Sequence, residues 1–267
     1  MFTTEARDLY ACAYANARKT VNDFQKMSAD PYLNEMYNEV DDSTVAERMD
    51  LGILEIPVRQ IVGSASDFPE MQYTYDFMPL ADANSEFAAA WCQLYLEYLS
   101  DKGLTTPIEC VEYMGRFYVV DGKKRVSVLK AHGEIRVQAH VTRLVPAYSN
   151  EKQVKQYYEF MKCFSKTRLY QVVFSNAANF EKLQNAMGLA PEKEWTDMER
   201  YHFMFTFAGV ERAYFELLGE YASVTAADVF VALLDKYSFS KIRAMLTQDL
   251  EKEIGDVLGL NAHNMVA

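Results

Sequence analysis

The spacing of apolar and polar residues predicts a helical start to the chain. Residues 4–25 carry apolar side chains at helical intervals, which indicates an amphipathic helix. The side chains are Leu9, Ala13, Ala17, Val21 and Phe24. Asp30 followed by Pro31 predicts the start of a second helix, because Asp is a favourable N-cap and Pro suits the first helical position. The polar stretch 41–50 then predicts a connection to a region of different character.

Short apolar runs separated by turn residues follow, as is typical of a mixed α and β region. IPVRQIV at 56–62 and IRVQAHVTRLV at 135–145 predict strands. Residues 107–121 predict a β-hairpin that turns at 114–116, where a glycine interrupts two apolar runs. Residues 63–84 have little periodicity and indicate a long connection.

Two helices are predicted within this region. Residues 85–103 form the first, with Gly103 where a C-terminal cap belongs. Its expected buried face consists of Phe87, Trp91, Leu94 and Tyr98. The second covers 122–132, with Asp121 as its N-cap and Gly133 at its end.

The rest of the chain has the pattern of successive helices. Thr196 and Glu199 have the spacing of a capping box, and Thr225 marks another helix start. The other predicted helices are 151–164, 179–188 and one or two between 240 and 258. We therefore expect an α+β protein with three parts: an N-terminal helical segment (1–50), a small mixed-sheet domain (51–146) and a C-terminal helical bundle (147–267).

Composition favours a globular protein of the reducing cytoplasm. Of 267 residues, 50% are hydrophobic and 13% aromatic, which is enough for a packed core. No apolar run approaches the roughly 18 residues that a membrane helix needs, and the N-terminus has no signal-peptide pattern. The cysteines are too scattered for a CxxC zinc or redox motif, so no metal site is expected. They are Cys12, Cys92, Cys110 and Cys163.

One segment reverses the charge of the chain. The formal net charge is −11, which disfavours binding to DNA over most of the surface. Between residues 116 and 143, however, seven basic and two acidic residues give a net charge of +5. The basic residues are Arg116, Lys123, Lys124, Arg125, Lys130, Arg136 and Arg143. This local excess of positive charge indicates an anion as its partner.

The turn at Gly122-Lys123-Lys124-Arg125 is the candidate anion site. A helix N-terminus offers unpaired N–H groups and the positive end of the helix dipole, and Gly122 permits close approach of the backbone. Cations at this position form a phosphate cradle. The alternative is a solvated turn whose charges balance nearby carboxylates. The turn is not a Walker A loop, which would require Gly in place of Phe117 and Ser or Thr in place of Lys124.

The order of these elements resembles the ParB/sulfiredoxin-type domain over residues 53–145. In that family a glycine precedes a Pro-Ile strand, and a hairpin leads into a glycine-basic loop that opens a helix. The residues that fit these places are Gly103, Pro107-Ile108, Gly122 and Arg125. The flanks are similar to bacterial proteins that carry such a domain between helical segments.

The resemblance implies a bound nucleotide, CTP or ATP/ADP with Mg²⁺, because the family includes CTP-hydrolysing, ATP-using and ADP-using proteins. Gly103 would line the pocket, and Asp121 would assist as a metal ligand or base. The implied phosphate ligands are Gly122, Lys123, Lys124 and Arg125. Lys123 stands where sulfiredoxins have their cysteine and ParB proteins a glutamate, and Lys124 stands where the kinases have histidine. Binding is therefore favoured over catalysis.

Three functions follow from this interpretation. The first is a regulatory protein that binds a nucleotide or another phosphorylated ligand. The second is a phosphotransferase or nucleotide hydrolase that uses the same pocket. The third is an interaction module with a vestigial pocket, whose basic patch would bind an acidic partner.

DNA binding is a further implication of the resemblance, through a helix-turn-helix at 225–246. Residues 150–267 contain 13 basic and 16 acidic residues, which argues against it. A helical bundle explains that segment better. The aromatic run 201–215 and His202 within it are likewise predicted to pack in a core.

Overall fold

A computed structural model describes residues 4–66, 71–101, 103–176, 178–190, 192–219 and 224–259. The chain divides into two compact units, Met1–Ser149 and Asn150–Ala267. The first unit combines a six-stranded mixed sheet with helices, and the described part of the second is helical. The expectation of an α+β protein is therefore confirmed.

The sheet of the first unit has the strand order β1-β3-β5-β4-β6-β2. Its strands are β1 (Asn34–Glu35), β2 (Val45–Pro57), β3 (Ile61–Ser64), β4 (Ile108–Tyr113), β5 (Arg116–Asp121) and β6 (Arg136–Pro146). The pairs β1/β3, β3/β5 and β4/β6 are parallel, whereas β4/β5 and β2/β6 are antiparallel. The predicted hairpin is confirmed, and its turn has positive φ at Met114 (50°) and Gly115 (80°), as two-residue hairpins favour.

Three longer helices pack together in the same unit. They are α1 (Thr4–Lys26), α3 (Glu86–Leu99) and α4 (Lys123–His132), whereas α2 (Met36–Glu39) is a short fourth helix. Tyr10 of α1 meets Trp91 of α3 edge-on, with ring centroids 5.3 Å apart. The indole Nε1 of Trp91 donates a hydrogen bond of 2.9 Å to Ser127 of α4, and both residues are fully buried. This aromatic core fixes the position of α4.

Several local predictions in this unit were wrong. No helix starts at Asp30-Pro31, because the Asp30 carboxylate accepts the Tyr32 N–H in a local turn and the following helix is only α2. The stretch 56–62 is not one strand, since a 3₁₀ turn (Val58–Gln60) separates β2 from β3.

The long strand β2 was missed over Val45–Asp50, where an exposed edge strand has no apolar alternation to reveal it. The buried side of α3 is also shifted from the prediction, to Ala88, Trp91, Cys92 and Tyr95. That helix ends at Leu99 with Ser100 as its C-cap, so Gly103 is not its cap.

The second unit is built from helices around an aromatic core. The helices are α5 (Lys152–Thr167), α6 (Ala178–Ala186), α7 (Asp197–Leu218), α8 (Ala226–Leu234), α9 (Phe239–Arg243) and α10 (Thr247–Leu258). The capping boxes predicted at Thr196 and Thr225 are present. Phe230 of α8 meets Phe203 and Phe207 of α7 edge-on at 5.5 and 5.6 Å. Such pairs each contribute about 0.5–1.5 kcal/mol beyond their buried area.

No helix in the described ranges combines the length and the apolar character that crossing a membrane would take.

Candidate functional site

The candidate site lies at the turn between β5 and α4. Asp121 is the last residue of β5 and not the N-cap, which is Gly122 with φ 102° and ψ 16°. A Cβ at this position would lie 2.7 Å from Cγ2 of Ile108 and 3.0 Å from Nε of Arg125. The turn therefore requires glycine for both its backbone angles and its space. Gly122 has no side chain with which to cap the first turn of α4.

Arg125 connects this turn to the segment before β4. Its Nη1 donates hydrogen bonds to the carbonyl oxygens of Thr106 (2.8 Å) and Pro107 (3.1 Å). Its Nη2 donates to Oδ2 of Asp121 at 2.5 Å. The Arg125 side chain is 13% exposed and the Asp121 side chain 70% exposed. The guanidinium is thus held firmly by carbonyl groups, while its carboxylate partner faces solvent.

The three consecutive cations do not converge on one point. Lys124 places its Nζ 4.6 Å from the centre of the Phe87 ring in α3, a cation–π contact. Lys123 is half-buried at the first position of α4. Of the three, Arg125 alone lines the pocket beside this turn.

This pocket, which we call the Arg125 pocket, has a volume of about 170 Å³. Two of the residues predicted to bind a ligand, Gly103 and Arg125, lie in its wall, and Asp121, Gly122, Lys123 and Lys124 do not. Its wall also contains Tyr98, Thr106, Glu134 and Arg136. The geometry therefore brings together part of the predicted set and adds residues that the sequence analysis had not selected.

Glu134 provides the pocket with a carboxylate that stays ionised. It accepts hydrogen bonds from the Tyr98 hydroxyl (2.6 Å) and the backbone N–H of Ile135 (3.0 Å). Burial alone would raise the pKa of Glu134, but these bonds outweigh it and hold the pKa below its usual value. The same hydrogen bond raises the pKa of Tyr98 to about 12. The Glu134 carboxylate is therefore a fixed hydrogen-bond acceptor rather than a proton donor at neutral pH.

A second guanidinium lies in the same wall. Nε of Arg136 is 3.7 Å from Oε1 of Glu55, a loose ion pair between neighbouring strands. Arg136 belongs to the basic segment 116–143, so the charge pattern contained a signal for it. Its proximity to Arg125 depends on how β6 follows α4, which no local pattern reveals. The Arg125 pocket thus carries two guanidinium groups and one carboxylate.

The long connection before α3 forms part of a different pocket. Tyr75 and Asp76 line a cavity of about 570 Å³ together with Asn16, Lys19 and Lys130. Its lining residues are all different from those of the Arg125 pocket. Different side chains of α4 therefore line the two cavities, with Leu129 in the Arg125 pocket and Lys130 in the other.

The segment 225–246, considered above as a DNA-binding helix-turn-helix, forms two short helices, α8 and α9. The five residues of α9 make less than two turns, which is short for a helix that enters a major groove. Within the described residues, no group of three or more His, Cys, Asp or Glu side chains is placed to hold a metal ion.

A scan against models of known protein families gave no match, and a search of curated proteins found no similar sequence. The resemblance to the ParB/sulfiredoxin-type domain accordingly stays a prediction from residue order, and the geometry of the site has to support any functional proposal.

Proposed function

We propose that the first unit binds a nucleotide or a similar phosphorylated small molecule at the Gly122–Arg125 turn and in the Arg125 pocket. The observation that carries the proposal is the pairing of a mostly buried Arg125 with an exposed Asp121 at a helix N-terminus whose N-cap residue is glycine. A phosphate can replace the carboxylate of Asp121 without moving the guanidinium, and it gains the positive end of the helix dipole.

The size of the pocket limits which part of a ligand it holds. Small-molecule sites usually measure about 300–1,000 Å³, whereas this pocket has about 170 Å³. A phosphate or phosphoribosyl group suits that space, with the base extending outward past Gly103. Arg125 and Arg136 would neutralise phosphate charge, and Glu134 would accept hydrogen bonds from hydroxyl or amino groups of the ligand.

The same features favour regulatory binding over turnover. Asp121 is the carboxylate for which a catalytic or Mg²⁺-binding role is conceivable, and it is paired with Arg125 at 2.5 Å. While this pair is intact, the guanidinium occupies the carboxylate oxygen that a metal ion or a substrate proton would need. The ParB/sulfiredoxin resemblance supports the same location for the phosphates.

Thermal unfolding with a panel of CTP, ATP, ADP and GTP, each with Mg²⁺, tests this proposal. A ligand that binds the native state raises the melting temperature. We expect a shift for at least one nucleotide that is lost in Arg125→Lys, which keeps the charge but loses the guanidinium fork. Arg48→Lys is the matched control, because Arg48 is an exposed residue of β2 that is paired with Asp42. No shift with any nucleotide, or equal loss in the control, would overturn the proposal.

A further inference from the structure

The second unit contains a larger pocket of about 740 Å³, which we call the α9 pocket. It lies beside α7, α9 and the segment between α8 and α9, within the volume range of small-molecule sites. Apolar and aromatic groups form most of its wall, and a few polar groups accompany them. The wall includes His202, Tyr237, Ser238, Phe239, Ser240 and Arg243.

An aromatic surface of this pocket is anchored in the core. The His202 ring stacks on Phe239, with centroids 5.5 Å apart and planes 19° from parallel. Phe239 in turn meets the fully buried Phe230 edge-on at 5.2 Å. His202 was predicted to pack in the core, but it is exposed, since its position on α7 faces away from Phe203 and Phe207. The unit therefore presents a fixed π surface to solvent.

Arg243 brings a guanidinium to the edge of this pocket. Its guanidinium lies 4.5 Å from the centre of the Phe205 ring, and within the described residues it forms no ion pair or hydrogen bond. Lys182, Lys236 and Arg212, by contrast, each lie within 4 Å of a carboxylate. In a chain of net charge −11, an unpaired guanidinium beside an aromatic pocket is a position suited to an anion.

We propose that the α9 pocket binds a small planar aromatic molecule that carries a carboxylate. The ring would lie against Phe239 and His202, and the carboxylate would pair with the Arg243 fork. The hydroxyls of Ser238 and Ser240, whose Oγ atoms are 3.1 Å apart, supply further polar contacts at the same edge. This site is separate from the Arg125 pocket and does not depend on the proposed function.

A stacked nucleic acid is the competing occupant, because Tyr201 and Phe205 are exposed next to the pocket. Residues 150–267 contain more acidic than basic residues, and a polyanion would need a continuous basic track that this composition does not provide. A single carboxylate needs one guanidinium, which Arg243 provides. The charge therefore favours the small ligand.

Isothermal titration calorimetry of the whole chain with 2-naphthoate tests the proposal. Two further probes separate the contributions: 2-naphthylmethanol retains the ring without the charge, and cyclohexanecarboxylate retains the charge without the aromatic ring. We expect the naphthoate to bind more tightly than either. Arg243→Ala should weaken its binding roughly tenfold, the size of one lost charged hydrogen bond, and should leave the naphthylmethanol affinity unchanged.

Arg212→Ala is the matched control, since it removes the same charge from an exposed position on α7. Its affinity for naphthoate should equal that of the parent chain. Changes in the amide NMR signals of Ser238 and Ser240 on titration would place the ligand, and they do not depend on any variant folding. Absence of naphthoate binding, equal affinity for all three probes, or tighter binding of oligo(dT) that is lost in Arg243→Ala would overturn the proposal.

Discussion

The Arg125 guanidinium and the Asp121 carboxylate lie 2.5 Å apart across the turn between β5 and α4. The two side chains are held unequally, because Arg125 also donates to the carbonyl oxygens of Thr106 and Pro107, whereas Asp121 is largely exposed. Under the proposed function, Asp121 occupies the place of a ligand phosphate and competes with it. An acid at this position then regulates affinity rather than catalysing a reaction.

Asp121→Asn should accordingly strengthen phosphate binding. Removal of the competing negative charge frees one edge of the Arg125 guanidinium. A ligand phosphate then no longer has to displace a carboxylate in order to bind there. An exposed ion pair contributes about 0.2–1 kcal/mol, so we expect a gain in nucleotide affinity of up to roughly fivefold, measured by calorimetry with the nucleotide that gives the largest thermal shift.

Asp42→Asn is the control for this change. It removes the same charge from an exposed carboxylate paired with Arg48, away from the turn, and should leave affinity as it is. A loss of affinity in Asp121→Asn would instead indicate that Asp121 is a metal ligand or base, and would favour the phosphotransferase or hydrolase interpretation.

Gly122→Ala should disrupt the turn itself. Its new methyl group would contact Ile108 at 2.7 Å and the Arg125 guanidinium at 3.0 Å, and its φ of 102° is strained for alanine. Backbone strain and overpacking together should cost about 3 kcal/mol of unfolding free energy. Urea unfolding followed by circular dichroism measures this.

Gly133→Ala separates the two contributions. Gly133 also has positive φ (85°), but a Cβ there would meet nothing within 4 Å. It should cost only about 1–2 kcal/mol, the backbone contribution alone. Equal costs for the two substitutions would show that Gly122 is needed for its backbone angles and not for space around Arg125.

The sequence predicted most of the regular elements because their signals are local. Capping at Thr196 and Thr225 and the glycine turn at 115 depend on neighbouring residues, and all three are present. Strand β2 was missed over Val45–Asp50, since an edge strand with both faces exposed carries no hydrophobic alternation. Its identity depends on pairing with β6, nearly a hundred residues later.

The candidate site was predictable only as a position along the chain. The glycine and the adjacent cations marked the turn, but they did not reveal that Lys124 turns to Phe87 while Arg125 turns to the carbonyl of Thr106. Tyr98 and Glu134 come together through tertiary packing, although their positions are 36 apart in the sequence. A short motif gives charge and spacing, whereas the pocket depends on contacts between distant segments.

Ser127→Ala should destabilise the packing that positions α4. The substitution leaves the buried indole N–H of Trp91 without its 2.9 Å acceptor, which costs about 1–3 kcal/mol. Trp91→Phe combined with Ser127→Ala removes both polar groups, so the double variant should lose less than the sum of the single variants. Urea unfolding of the parent chain, the two single variants and the double variant gives the double-mutant cycle.

Ser100→Ala is the comparison for this cycle. Ser100 is an exposed residue whose hydroxyl donates to the carbonyl of Glu97, and its loss should cost about 0.5 kcal/mol or less. Strict additivity of the Trp91 and Ser127 substitutions would mean that the hydrogen bond contributes nothing of its own to the position of α4.

Asp228 should make the second unit sensitive to acid. Its carboxylate accepts hydrogen bonds from Asn179 (2.8 Å), the N–H of Ser175 (2.9 Å) and the Thr225 hydroxyl (2.9 Å). Burial raises the pKa of Asp228, but these bonds outweigh burial and leave the pKa below its usual value. Because the folded pKa is lowered, the stabilisation is complete above the unfolded value of about 3.9 and is lost as the pH falls through the folded pKa.

Asp228→Asn should therefore cost about 1–3 kcal/mol at neutral pH and reduce the loss of stability below about pH 4. Urea unfolding in a Trp91→Phe background, followed by the fluorescence of the buried Trp195, reports on the second unit. Asp235→Asn removes an exposed carboxylate 3.8 Å from Lys182 and should have little effect at either pH. If the Asp228→Asn variant and the parent chain lose stability in parallel on acidification, other carboxylates must govern the acid response, and the hydrogen bonds to Asp228 would be structural contacts without a role in it.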